Sequence, residues 1–156
     1  MNEGCLDNDM GMEKILKEIQ ALSEKAIKAG IVEGSGDIDG VDIAQYAAWN
    51  EFGVPGKDKK WRIPPRPFIR GWIENNGEEI KQTVERLHKQ VADGRMTAAV
   101  AIKRLGQYAQ DGIKRYVMTG NFTPNAEATI QRKGSSRPLI DTGTMRNSVR
   151  YEETKK

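Results

Sequence analysis

Among 156 residues there is one cysteine, Cys5, and one histidine, His88. A lone thiol forms no intrachain disulfide, and without further His or Cys at ligand spacing the usual zinc sets cannot be assembled. No stretch approaches the roughly 18 apolar residues of a membrane span. The opening residues, from Met1 to Asp9, have neither the basic nor the apolar region of a signal peptide. A reducing cytoplasm is the expected setting, with no membrane partner. Hydrophobic residues are only 37% of the chain and mean hydropathy is −0.67, so the core must be thin and part of the surface is expected to order against a neighbour. Charge of one sign is lacking too, since 25 Lys and Arg stand against 22 Asp and Glu, a net +3. A nucleic-acid-binding domain usually shows a clustered basic stripe. The one short run, Lys57-Asp58-Lys59-Lys60, reads as a solvated loop tip.

Catalytic patterns are absent as well. There is no Gly-x-Ser-x-Gly elbow and no phosphate-binding Gly-x-x-x-x-Gly-Lys-Ser/Thr loop. Asp37-Ile38-Asp39-Gly40 has two of the oxygen ligands of a calcium loop but lacks the third and the correctly placed glycine, so it reads as a turn. Glu78-Glu79 and Glu152-Glu153 are adjacent carboxylates whose side chains diverge. No catalytic, cofactor-binding or metal-ligating set emerges, and the chain is expected not to be an enzyme.

The length suits one domain on the usual scale of roughly 100–200 residues, with 1–11 as a loose N-terminal segment and 12–156 as the domain. Apolar residues from Met12 to Ile27 recur at helical spacing and predict a helix over 12–29, ended by Gly30. Ile31-Val32 then carries a strand signal before the turn at Gly34-Ser35-Gly36-Asp37. Asp42 is placed to cap a second helix that Gly53 and Pro55 stop. Trp61-Arg62-Ile63 is extended ahead of the prolines. A long helix from Ile69 to the break at Asp93-Gly94, with Gly77 as a weak point, and another over about 97–117 should form a hairpin. Residues 118–138 lack periodicity and are dense in turn formers, which suggests a loop or arm that orders on a partner. Residues 147–153 alternate as a strand does. The expected fold is α+β: long helices packed on a small, mostly antiparallel sheet with strands near 31–34, 61–63 and 147–153, and a long loop or arm near 118–138.

Three segments stand apart in kind. In Ile63-Pro64-Pro65-Arg66-Pro67-Phe68-Ile69-Arg70 three prolines pre-set the backbone, and Arg66 and Arg70 bracket the run with donor forks suited to carboxylates or carbonyls. Phe68 is placed to fill the core, and Arg66 to serve as an interface anchor that the fold does not need. Asn50-Glu51-Phe52-Gly53 precedes this run. Pro138-Leu139-Ile140-Asp141-Thr142-Gly143-Thr144-Met145-Arg146-Asn147-Ser148-Val149 follows late in the chain.

With Leu105-Gly106 and Lys133-Gly134 between them, these segments resemble, in order and over about residues 30–152, the tail-completion (virion morphogenesis) proteins that long-tailed bacteriophages place at the neck, where head and tail join. The resemblance implies an α+β fold and a non-enzymatic, self-associating part of a phage or prophage virion. It implies a ring-like homo-oligomer touching tail-tube or head-connector proteins, with Asn50, Glu51, Phe52, Gly53, Pro64, Pro65, Arg66, Pro67, Phe68, Arg70, Asp141, Thr142, Gly143, Arg146 and Ser148 as interface or structural motif residues. The alternative from the residues alone is a small nucleic-acid-binding protein using Lys57, Lys59, Lys60, Arg132, Lys133 and Arg137.

Overall fold

The computed structural model describes residues 11–58, 60–134, 136, 138, 139 and 143–156. The fold is α+β, with two long helices and three small antiparallel strand pairs among the described residues. Helix α1 (Met12–Ser23) is followed directly by strand β1 (Lys25–Gly30). The helix expected over 12–29 therefore stops at Ser23, two thirds of the way along, and the strand expected near 31–34 lies earlier. Ala26 and Ile27 fit a helical stripe, but they are held in β1 by antiparallel pairing with β6 (Arg150–Lys155), in a register that sets Lys25 opposite Lys155 and Gly30 opposite Arg150. This ladder pairs an early strand with the last one, and tertiary pairing overrides the local helical pattern.

Next comes a tight hairpin of β2 (Asp37–Ile38) and β3 (Val41–Asp42), turned through Asp39 and Gly40 at positive φ. The turn reading of this segment holds. Asp42 then caps α2 (Ile43–Phe52), its side chain accepting from the Ala44 and Gln45 N–H groups, while the Gly34 N–H donates to its other oxygen. The Gly34 bond, with help from the two cap bonds, holds the Asp42 carboxyl below the usual carboxylate range despite the opposing cost of burial.

After α2 the chain forms a second hairpin, β4 (Val54–Pro55) with β5 (Trp61–Ile63). The segment at 61–63 is thus a strand, but it pairs with its own neighbour and does not share a sheet with 25–30 or 150–155. Helix α3 (Phe68–Ala92) and helix α4 (Ala98–Thr119) form the hairpin expected from their spacing. Inside α3 the backbone leaves helical geometry at Asn76, beside the weak point Gly77. Two further helices, α5 (Glu127–Lys133) and α6 (Thr144–Asn147), precede β6.

The β1–β6 ribbon lies on α4, and Gly106 is the reason it can. Tyr151 of β6 rests so close to the α4 backbone there that any Cβ at 106 would collide with its ring. The larger buried cluster gathers Ile43, Ala47, Phe68, Trp72, Ala109, Ile113, Val117, Leu139, Met145 and Val149 from α2, the first half of α3, the second half of α4 and the C-terminal segment. A smaller one of Leu87, Val91 and Ala101 lies toward the turn between α3 and α4, with Leu22 of α1 packed against it.

The segment at 118–138 departs from the expected free arm. α4 runs on to Thr119, α5 occupies 127–133, and Phe122 packs edge-on against Tyr116 with ring centroids 5.6 Å apart. A seven-residue helix with no apolar stripe leaves no periodicity to read.

Candidate functional site

The feature that unites the motif residues is the corner where α2 ends and α3 begins. A helix starts with N–H groups that have no partner inside it, and the residue capping α3 is Pro67, whose side chain offers no hydrogen bond. Glu51, from the last turn of α2, supplies what is missing. Its Oε2 accepts from the Phe68 N–H at 2.7 Å and the Ile69 N–H at 3.0 Å, and its Oε1 accepts from the Arg70 N–H at 3.0 Å. The Gly71 N–H then bonds the Pro67 carbonyl, so the helical ladder takes over where Glu51 stops. The carboxylate is only 4% exposed, and it sits at the positive end of a 25-residue helix.

The reverse problem, carbonyls left over at the end of α2, is met from the other side. The Arg66 N–H donates to the Asn50 carbonyl at 2.6 Å, and Arg70 Nη2 donates to the Glu51 carbonyl at 2.9 Å while its Nε reaches Glu51 Oε1 at 3.1 Å. The two helix ends therefore satisfy each other. Asn50 completes the joint, its Nδ2 donating to the Tyr46 carbonyl and its Oδ1 accepting from Arg66 Nη1 at 3.3 Å.

Arg66 is the second buried centre. It is 7% exposed, and its Nε and Nη2 donate to the carbonyls of Thr123 and Pro124 at 2.8 and 3.1 Å. Burial lowers its pKa from the ordinary guanidinium value, with Tyr46 opposing. The expectation of an interface anchor dispensable to the fold is thus corrected: Arg66 clamps the segment after α4 onto the α2–α3 corner. Among the described residues no buried side-chain nitrogen or oxygen lacks a hydrogen-bond partner.

Gly53 lets the β4–β5 hairpin fold back over this joint. Its φ is +78°, and a Cβ there would stand 2.9 Å from Trp61 Cζ3 and 3.0 Å from both the Ile63 carbonyl oxygen and Pro65 Cδ. Phe68 fills the core as expected, with no exposure at all. Two aromatics of the corner face outward instead. Phe52 is 60% and Trp61 54% exposed, and the Arg70 guanidinium lies 5.0 Å above the Phe52 ring. Beside Phe52 is an apolar hollow of about 250 Å³ walled by Ile31, Ala44, Ala48, Phe52 and Ile69.

Asn50, Glu51, Phe52, Gly53, Pro64, Pro65, Arg66, Pro67, Phe68 and Arg70 are therefore brought together. The late motif is placed elsewhere. Gly143 begins α6, Arg146 reaches Met118 and Asn147, and the Ser148 hydroxyl donates to the Thr144 carbonyl, while Met145 and Val149 plug the core. Asp141 and Thr142 lie outside the described residues, as do Lys59 and Arg137 of the basic set. Lys57 and Lys60 are exposed on the β4–β5 loop, and His88 is exposed on α3. Among the described residues no cluster of His, Cys, Asp or Glu could hold a metal ion, and no helix is long and apolar enough to cross a membrane.

The carbonyls of Thr123 and Pro124 were not legible as parts of this site. A signal for Glu51 was present: three prolines lead into α3 with no Ser, Thr, Asp or Asn to cap it, so an acceptor had to come from elsewhere. Comparison with protein-family models, curated proteins and solved structures finds no match for this chain.

Proposed function

We propose that this chain is a non-enzymatic assembly part of a bacteriophage or prophage, made in the bacterial host cytoplasm, which completes the tail or neck at the head–tail junction by binding copies of itself and neighbouring tail-tube or connector proteins. One observation carries the reading. The two segments that bear most of the resemblance build a single internally satisfied joint, and that joint holds Phe52 and Trp61 out into solvent. Two exposed aromatics, one of them bordering an apolar hollow, suit a protein contact, and a prebuilt corner needs little ordering when it binds. The polar side chains of the corner, Glu51, Arg66 and Arg70, are engaged in joining helix ends.

Electron microscopy of particles from a producing host with the coding sequence disrupted tests this. The expected result is heads and tails that accumulate separately, restored to joined particles by the added chain. Normal joined particles without the chain would overturn the reading. Retention on DNA that falls steeply with salt, in a chain that leaves particles unaffected, would favour the nucleic-acid alternative.

A further inference from the structure

The two long helices leave a cleft of about 260 Å³ between them, lined by Trp72, Asn76 and Glu79 of α3 and Tyr108, Asp111 and Arg115 of α4. Trp72 is only 7% exposed, and its ring presses on α4 at Gly112, where a Cβ would stand 2.6 Å from Cε2, Cζ2 and Nε1. Gly112 thus leaves the N–H edge of the indole uncovered. A buried tryptophan N–H ordinarily finds an acceptor. Trp72 Nε1 has none among the described residues. No fully buried side-chain nitrogen or oxygen among them lacks a partner, so this N–H reaches solvent, beside Gly112 on the cleft wall.

The charged groups around this donor are also left over. Asp111 and Arg115 stand four residues apart on α4, a spacing at which opposite charges can meet, yet neither side chain has a hydrogen bond or ion pair among the described residues. Glu79 is engaged: burial, and next a hydrogen bond to its carboxylate, push the Tyr108 phenol above its ordinary value. On the α3 side the backbone leaves helical geometry at Asn76, whose Nδ2 donates to the Trp72 carbonyl at 2.8 Å. The kink in α3 therefore lies on the same wall as the free N–H.

We infer that this cleft binds a small amino-carboxylate, with the ligand's carboxylate taken by Trp72 Nε1 and the Arg115 guanidinium and its ammonium by the Asp111 carboxylate. One helical turn, about 5.4 Å, separates Asp111 from Arg115 along α4, a span that a chain of a few carbons bridges. A simple anion would satisfy the indole N–H but meet Asp111 and Glu79 with like charge. A simple cation would leave the sheltered donor unmatched. A ligand charged at both ends pairs all three groups. The site is independent of the corner at Phe52 and Trp61, and of the function proposed for it.

Titration of the isotope-labelled full chain, followed by NMR at the indole N–H signals of Trp49, Trp61 and Trp72, supplies the test. The variants Trp49→Phe and Trp61→Phe assign the Trp72 signal by elimination. β-Alanine should shift that signal saturably. Propionate and ethylammonium, its one-ended counterparts, should bind roughly tenfold more weakly or worse, the scale of losing one charge-assisted hydrogen bond. Asp111→Asn, a change at an exposed position, should leave the melting temperature unchanged and remove the advantage of β-alanine over propionate. A Trp72 signal that does not move with β-alanine would overturn the inference. So would propionate binding as well as β-alanine in the parent, which would make the cleft a simple anion site. An Asp111→Asn variant that keeps the parent's preference for β-alanine would likewise overturn it.

Discussion

The N-termini of the two long helices are both held by a glutamate from another helix, and they are held to different degrees. At α3, Glu51 takes the first three backbone N–H groups and an arginine, under almost complete burial. At α4, Glu18 of α1 takes the Ala98 N–H at 2.7 Å, and Thr97 takes the Val100 N–H at 3.4 Å. The first glutamate stands on a helix with four buried residues, the second on a helix with none. These ends are separated by the length of α3, 25 residues or about 37 Å at the usual rise. The molecule thus has one end whose geometry is set within the monomer and another whose apolar surface is left uncovered. The motif segments at 50–53 and 63–70 belong to the first.

The largest effect expected at the fixed end comes from its apolar plug. Phe68→Ala should cost about 3–5 kcal/mol in denaturant unfolding, the range for a fully buried aromatic. A loss near that of a surface residue would mean the corner does not organise the core.

Glu51→Ala should cost about 3 kcal/mol, because it leaves sheltered N–H groups of α3 without acceptors, and the partly exposed ion pair with Arg70 adds little. Its amide exchange signature is sharper than its stability change. Phe68, Ile69 and Arg70 should lose protection before the middle of α3.

Arg66→Ala should cost about 2 kcal/mol, the scale of buried hydrogen bonds from a charged donor. Exchange should rise across 120–126, where the Thr123 and Pro124 carbonyls are released. If that segment exchanges freely in the parent already, the clamp reading fails and the free-arm expectation returns.

At the other end, Glu18→Ala should cost about 1 kcal/mol, the scale of losing one capping bond. Its effect on thermal melting should therefore be the smallest of the four. A cost equal to that of Glu51→Ala would remove the contrast between the ends.

What the sequence revealed divides along the same line. Asp42 as a cap, Gly53 as a stop, the break at Asp93-Gly94 and the stripes of α3 and α4 were legible because each depends on neighbours within a turn or two. β1 was not, since Ala26 and Ile27 continue a helical pattern and only a strand more than a hundred residues later draws them out of it. The corner was half legible. Its residues stand out in the sequence, but nothing local points Arg66 to the carbonyls that it meets 57 and 58 residues on in its own chain. Distance along the chain, more than residue type, separates what could be read from what could not.

The corner is complete within the monomer, and in the proposed function it serves by presenting Phe52 and Trp61. A double variant, Phe52→Ser with Trp61→Ser, addresses it most directly through particle joining measured beside thermal stability. The expected result is a melting temperature within a few degrees of the parent's, since surface substitutions usually shift stability by less than about 0.5 kcal/mol, together with loss of joined particles. Joined particles at the parent's yield from a stably folded double variant would contradict it.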